Sequence, residues 1–281
     1  MLELPEVEVL RKDLEREVVG KRVKEVQVTA AAIVRPYHRN RPEFVKALEG
    51  HKIEAVRRRG TVLFLDLDED LTWTIDPGDT ASLHRETMNE PAGPGTDVVV
   101  TFTTGGAIHV TNPDRGESCH MGVVARQEAF TAAGLSPHAL DLLDDSPTWI
   151  EFGELLRGAA APLKQVLMDE SRVLGVRAVY SDEALWEAGL SHDRSSDTLS
   201  TQEVRRLYRA IQETLQAAIK HRGTSLEDAS PDEAFDDEGE PVEHLKVYGR
   251  DGLPCLRCRR TVVKDDLAHG GTTYHCTGCQ I

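Results

Sequence analysis

Residues 255–258, CLRC, and residues 276–279, CTGC, form two Cys-x2-Cys pairs near the C-terminal end of the chain. Seventeen residues separate the two pairs. Each pair forms a tight turn that directs two thiolates to one point, and two such turns supply the four sulfur ligands that zinc prefers. The spacing predicts one structural Zn²⁺ per chain, because four thiolates leave no open coordination position. The predicted ligands are Cys255, Cys258, Cys276 and Cys279.

The residues between the pairs fit a zinc ribbon. Segments 260–264 and 272–275 have strand composition, and Gly270 and Gly271 lie between them where a hairpin turns. A ribbon of this size cannot enclose a hydrophobic core. We therefore expect metal binding to supply its folding free energy, which is on the order of 10 kcal/mol for structural zinc sites.

The chain upstream of the ribbon is predicted to be helical. Apolar residues recur at three-and-four spacing in four segments, which are 151–157, 162–168, 182–188 and 201–222. Ser200 or Thr201 can cap the last of these helices, with Glu203 in its first turn. The acid-rich residues 227–243 follow, with few apolar side chains, and are predicted to form a solvated loop.

The N-terminal half begins with a predicted helix over residues 1–20, with Pro5 in its first turn and Gly20 at its end. Alternating strands then follow up to about residue 125, at 23–28, 62–67, 98–102 and 108–110, with one helix inserted at 41–48. The fold class is therefore α+β. The predicted divisions are a helix with an all-β domain (1–125), a linker (126–150), a helical domain (151–243) and the zinc ribbon (244–281).

Composition limits the classes of function. The chain has 281 residues and a formal net charge of −15, which counts against a general nucleic-acid binder. The tail 244–281 differs, since six lysines and arginines outnumber three aspartates there. No apolar run reaches about 18 residues, so no membrane span is expected. The N-terminal sequence MLELPEVEVL lacks the basic cluster of a signal peptide, which predicts an intracellular, cytoplasmic protein.

Several motifs occur together in a fixed order along the chain. They are LPEVE at 4–8, LMD at 167–169, VYSDEALWEAGLSHDR at 179–194 and VYGR at 247–250, followed by the cysteine pairs. In this order they resemble the formamidopyrimidine-DNA glycosylase / endonuclease VIII family, over essentially the whole chain. The resemblance implies a β-sandwich preceded by a catalytic helix, then a helix–two-turn–helix domain with a zinc ribbon. It also implies a DNA-repair enzyme that flips a damaged base from duplex DNA, releases it and cleaves the abasic strand.

The resemblance also implies roles for individual residues. Glu3 and Glu6 match the acids of the family, which move protons on the sugar and the base. Five basic residues are candidates for phosphate contacts with double-stranded DNA that is damaged or abasic. They are Arg115, Arg177, Lys246, Arg250 and Arg259.

Other positions depart from the family pattern. Leu2 stands where the family has the proline whose amine attacks the sugar, and Thr61 stands where it has a lysine. Gly271 replaces the arginine of the zinc hairpin, and segments 76–81 and 112–117 lack the residues that fill the space of the flipped base. These departures predict that the chain does not carry out efficient abasic-site lyase chemistry.

Three functions remain open at this point. The first is a base-excision glycosylase, with Glu3 as the acid and either water or the Met1 amine as the nucleophile. The second is a catalytically silent relative that only binds DNA. The third is an interaction protein whose acidic surface binds a protein partner. In each case we expect a monomer with no membrane association.

Overall fold

The computed structural model describes residues 2–78, 81–86, 93, 95–112, 118–144, 147–222, 244–267 and 271–281. The described chain divides into two compact units. One unit contains Leu2 and Val7–Pro137, and the other contains Glu3–Glu6 and His138–Ile281. The predicted acidic loop 227–243 lies outside the described residues.

The chain begins with helix α1, Leu4–Val18. It starts three residues later than predicted, with Pro5 in its first turn, where a missing N–H costs nothing. Gly20 follows the helix with φ +86, a conformation that favours glycine because it has no Cβ. The first turn of α1 belongs to the second unit, and the rest of the helix belongs to the first.

The described part of the first unit contains two four-stranded antiparallel sheets. In strand order, the first sheet is formed by β1 (Val23–Val28), β6 (Thr96–Phe102), β7 (Ala107–Thr111) and β5 (Ser82–Glu86). The second is formed, again in strand order, by β2 (Ile53–Arg59), β3 (Val62–Leu67), β4 (Leu71–Asp76) and β8 (His120–Ala125). Two short helices complete the unit, α2 (Arg41–Leu48) and α3 (Ala129–Ala132).

Both sheets pack on one hydrophobic core. It includes Val26 and Val100 from the first sheet, Leu65 and Trp73 from the second, and Val7 from α1. Side chains alternate along the strands, so that one face of each sheet turns to this core. The shared core makes the pair of sheets a β-sandwich, as predicted.

The second unit is helical before the ribbon. Its helices are α4 (Trp149–Ala159), α5 (Leu163–Leu167), α6 (Ala178–Ala188) and α7 (Thr201–Lys220). Ser200 is the N-cap of α7, and it forms a capping box with Glu203, as expected from the sequence. Leu4 from α1 packs into the core of these helices with Phe152 and Leu185.

The C-terminal ribbon consists of the antiparallel strands β9 (Val262–Asp266) and β10 (Thr272–Cys276). A small cluster of buried side chains joins it to α6, and includes Trp186, Val247 and Tyr274. The ribbon therefore gains apolar contacts from the helical part of its own unit.

The predicted fold class is confirmed: a helix, a β-sandwich, a helical domain and a C-terminal cysteine-bearing ribbon follow one another. The described helices include none with the length and apolar character needed to cross a bilayer.

Candidate active site and cysteine cluster

Glu3 lies at the N-terminal end of α6. Its carboxylate accepts hydrogen bonds from the backbone N–H groups of Arg177 at 2.8 Å and Val179 at 2.9 Å, and a longer one from Tyr180 at 3.4 Å. The first N–H groups of a helix have no partner within the helix, and the helix dipole favours a negative charge there. Glu3 therefore caps α6 and not its own helix, which begins one residue later.

The surroundings of Glu3 make it a weak acid. The side chain is completely buried, and burial is the main cause that raises its pKa, followed by the nearby charge of Glu6. The three backbone donors act in the opposite direction. The result is a pKa of about 7, so that both protonation states of the carboxyl group are populated near neutral pH.

Glu6 is also buried, with 2% of its surface exposed. One of its oxygens accepts a hydrogen bond from the hydroxyl group of Tyr180, and the other accepts the backbone N–H of Glu3 at 3.1 Å. Glu6 therefore binds both the backbone of Glu3 and the side chain of Tyr180, which belongs to α6. The structure brings together the two acids that the resemblance singled out.

A second buried pair lies one turn further along α6, and sequence reasoning missed it. Lys164 Nζ donates to Asp182 Oδ1 at 2.5 Å and to the carbonyl oxygen of Thr272 at 3.2 Å. Asp182 also accepts the hydroxyl group of Thr273 and the backbone N–H of Tyr274. The pair ties α6 to strand β10. Its only signal in the sequence is one lysine and one aspartate at apolar helical positions.

Glu183, the next residue of α6, has a similar role. Its carboxylate accepts the backbone N–H groups of Lys246, Val247 and Tyr248 at 2.8–3.1 Å. Burial raises the pKa of Glu183. Glu3, Asp182 and Glu183 thus join three separate segments of the second unit to α6, namely its N-terminal residues, the ribbon and the VYGR segment.

The residues predicted to contact DNA differ in their exposure and in their ion-pair partners. Arg177 Nε donates to Glu170 at 3.2 Å, and Lys246 Nζ donates to Glu187 at 2.8 Å. Arg250 is half-buried, whereas Arg259 is exposed. Arg115 lies outside the described residues.

The positions that the resemblance predicted to be departures can also be located. Leu2 is buried in the core of the first unit, with 5% of its surface exposed. Thr61 is buried at the turn between β2 and β3. Gly271 has φ +80, which explains a glycine there, and a Cβ at this position would meet no other atom.

The four cysteines of the ribbon lie together. Their sulfur atoms are all within 4.8 Å of one another, with Sγ–Sγ distances of 3.8 Å for Cys255–Cys279 and 3.4 Å for Cys258–Cys276. Four sulfurs bound tetrahedrally at about 2.3 Å lie about 3.8 Å apart. The observed spacing therefore fits a tetrahedral metal ion, and the group can hold one.

Comparison with known proteins gives the same assignment along the whole chain. Residues 1–118 match the model of the formamidopyrimidine-DNA glycosylase N-terminal domain, and residues 125–230 match that of the formamidopyrimidine-DNA glycosylase H2TH domain. The formamidopyrimidine-DNA glycosylase of Desulfitobacterium hafniense is 30% identical over 281 residues, covering 100% of both chains. That of Heliobacterium modesticaldum is 33% identical over 283 residues, again with 100% of both chains covered.

Solved structures agree with these relatives. A mutant Lactococcus lactis enzyme bound to DNA that contains Fapy-dG has a TM-score of 0.86 and 25% identity, with 99% of each chain covered. A complex of the Lactococcus lactis enzyme with abasic-site DNA has the same TM-score and coverage at 24% identity. The fold, the paired acids and the full-length relatives all lead to one conclusion: the chain belongs to the formamidopyrimidine-DNA glycosylase family.

Proposed function

We propose that this chain is a base-excision DNA glycosylase that releases a damaged base from duplex DNA, with Glu3 as its proton carrier. The proposal rests on the carboxyl group of Glu3. Three backbone N–H groups fix its position, and its pKa is about 7. A general acid is most effective when its pKa is close to the working pH. Membership of the glycosylase family supplies the substrate class.

The reaction requires two proton transfers, one from Glu3 to the leaving base and one from the attacking water to Glu3. Water attacks C1′ of the damaged nucleotide while the bond from C1′ to the base nitrogen breaks, and its electron pair goes to the leaving base. Protonated Glu3 neutralises the leaving group, and the proton that the attacking water loses restores the acid. The products are the free base and an abasic site.

We further propose that cleavage of the abasic strand is inefficient. That step needs an amine that forms a Schiff base with C1′. Leu2 does not supply the secondary amine of an N-terminal proline, and its side chain is buried in a hydrophobic core. Thr61 carries no positive charge to hold the adjacent phosphate. We propose water rather than the Met1 amine as the nucleophile, which gives base release without a covalent intermediate.

For DNA binding we propose Arg177, Lys246, Arg250 and Arg259 of the second unit, together with Arg115. Arg259 is the best supported of these, because it is exposed and lies in the basic tail. Lys246 is also exposed, but it must exchange its ion pair with Glu187 for a phosphate. Since the whole chain carries a net charge of −15, we expect few phosphate contacts and modest affinity. The proposed location is the nucleoid in the cytoplasm, where duplex DNA is found.

The proposed metal is one zinc ion bound by Cys255, Cys258, Cys276 and Cys279. The sulfur spacing described above supports it, since all four donors are cysteine sulfurs and their distances fit tetrahedral coordination. The ion would be structural, and its contribution is to fold the ribbon. The residues that face DNA and the acid Glu3 carry out the steps of the reaction.

A DNA-binding function without chemistry is the second candidate. The burial of Leu2 favours it, because the family's nucleophile position then contributes to packing and not to reaction. The two candidates differ in one respect that can be measured, which is whether a base leaves the DNA.

Base release from duplexes that carry one oxidised purine or one oxidised pyrimidine tests the proposal, and a duplex with one abasic site serves as the binding and strand-cleavage control. The wild-type chain is compared with Glu3→Gln and with Glu15→Gln, a matched change at an exposed acid of the same helix. We expect the first variant to lose about 10²-fold or more in the single-turnover rate, and the control to lose nothing. Equal rates for both variants would refute the role of Glu3. Gel-shift binding without any release would establish the second candidate.

A further inference from the structure

Trp186 lies against the cysteine cluster. Its indole Nε1–H donates a hydrogen bond to Cys255 Sγ at 3.4 Å. The tryptophan is 4% exposed and the cysteine is fully buried. Water therefore has little access to this contact.

Neighbouring cations hold the indole ring in place. The guanidinium group of Arg257 lies 4.2 Å from the ring centroid, and Lys246 Nζ lies 5.7 Å from it. Arg257 also donates to the backbone carbonyl of Trp186 at 3.0 Å. Glu187, the next residue of α6, pairs with both of these cations. The ring is thus confined by a network of charges, so its N–H has a fixed direction.

A hydrogen bond from a fixed donor changes what a thiolate can do. It stabilises negative charge on sulfur, and this effect is strong where water is excluded. A cysteine sulfur keeps negative charge when it binds a metal ion, so a donor directed at this sulfur stabilises the metal-bound ligand and fixes its orientation. An indole N–H can only donate a hydrogen bond, so Trp186 does not itself bind the metal ion.

We propose that Trp186 is a positioning residue of the metal site, which strengthens metal binding by donating its indole N–H to the Cys255 thiolate. The inference rests on the proposed metal and not on the proposed glycosylase activity. Trp186 belongs to α6, whose first turn binds Glu3, so one helix orients both the acid and the metal ligand.

The most direct test uses the wild-type protein loaded with ¹¹³Cd²⁺. A scalar coupling between this nucleus and an indole proton passes only through a hydrogen bond to a metal-bound sulfur. The chain has three tryptophans, which are Trp73, Trp149 and Trp186. We expect one indole N–H signal to be coupled to ¹¹³Cd, and the signal to be missing in Trp186→Phe. If that variant does not fold, Trp73→Phe and Trp149→Phe assign the signal by elimination. An uncoupled Trp186 signal would overturn the proposal.

A second test measures affinity. Trp186→Phe keeps an aromatic ring for Arg257 to cover but removes the donor, and Trp149→Phe is a matched control, since Arg205 covers that ring at 4.1 Å. Zinc affinity is measured by competition with a chromophoric chelator, and the sulfur-to-metal charge-transfer bands are recorded with Co²⁺. We expect affinity to fall by about 10-fold in the first variant only, with shifted bands.

The results of these experiments distinguish failure of the proposed role of Trp186 from failure of the proposed metal site. A wild-type chain that binds neither Zn²⁺ nor ¹¹³Cd²⁺ would refute both. A wild-type chain that binds metal, with unchanged affinity and bands in Trp186→Phe, would refute only the role of Trp186. None of these measurements uses DNA, so failure of the glycosylase proposal leaves them unaffected.

Discussion

Oε1 of Glu3 accepts the backbone N–H of Val179 at 2.9 Å, across 176 positions of sequence. This contact fixes the N-terminal residues of the chain to the first turn of α6. It also explains how an acidic side chain remains buried, because the helix end supplies donors that water would otherwise supply. The buried position of Glu3 at the end of α6 therefore both fixes the side chain and raises its pKa.

Stability should depend on pH through Glu3. Its pKa is about 7 in the folded chain and 4.5 in the absence of burial, so the folded state binds the proton more tightly than the unfolded state does. Stability from this group is therefore fully present below about pH 4.5 and is lost as pH rises through 7. The loss is about 3 kcal/mol. We expect Glu3→Gln to remove this part of the slope in urea unfolding measured between pH 4.5 and 8.

The control for this experiment is Glu15→Gln, which changes an exposed acid of the same helix. It should reproduce the wild-type slope. A Glu3→Gln curve parallel to the wild-type curve over the whole range would show that Glu3 does not bind its proton as described.

Loss of the buried lysine should destabilise the second unit. Lys164→Met leaves Asp182 without its cation in a site where both side chains are 1% exposed. Removing one partner of such a buried ion pair lowers the free energy of unfolding by about 3–5 kcal/mol. Urea unfolding should show this loss, whereas Lys12→Met, at a half-exposed lysine of α1, should cost less than about 1 kcal/mol. Equal effects for the two variants would contradict the role of the buried pair.

DNA binding should show a shallow dependence on salt. A few phosphate contacts give a slope of about 2–4 in log affinity against log salt, because each contact contributes about 0.9. Arg259→Ala should lower the slope by about 0.9 without changing lesion preference. Arg16→Ala, at an exposed arginine of α1, is the matched control and should leave the slope unchanged. A slope that stays the same in Arg259→Ala would exclude this residue from the interface.

Metal removal should release the ribbon from α6. The backbone N–H of Tyr274 donates to Asp182 at 2.8 Å, so its hydrogen exchange reports whether β10 remains attached. We expect chelation or Cys276→Ser to accelerate this exchange, while amides in the middle of α7 keep their protection. Cys119→Ser changes a cysteine outside the cluster and should retain the metal. Unchanged protection of Tyr274 after confirmed metal loss would contradict the prediction.

The fold could be predicted from sequence because its signals are local. Strand patterning predicted β1, β3, β6 and β7, helical spacing predicted α1 and α7, and Cys-x2-Cys spacing predicted the cluster. Strand β8 was not predicted, because Gly122 interrupts this short segment and its residues from Met121 to Val123 are buried in succession. Buried strands lack the polar positions that mark the period.

The site could be predicted only in part. The resemblance to the family singled out Glu3 and Glu6, and the structure shows them at one helix end. The pair of Lys164 and Asp182, and the contact of Trp186 with Cys255, depend on residues that are 18 and 69 positions apart. No local pattern encodes such contacts, because they arise when separate elements pack together.

A strand-break assay on a lesion duplex, with and without hot alkali and with borohydride present, shows whether base release proceeds through a covalent intermediate. We expect the damaged base to be released, strand breaks to form mainly after alkali, and borohydride to trap little covalent complex. Breaks of equal yield without alkali, together with a trapped complex, would show that an amine attacks C1′ and would refute the proposed attack by water.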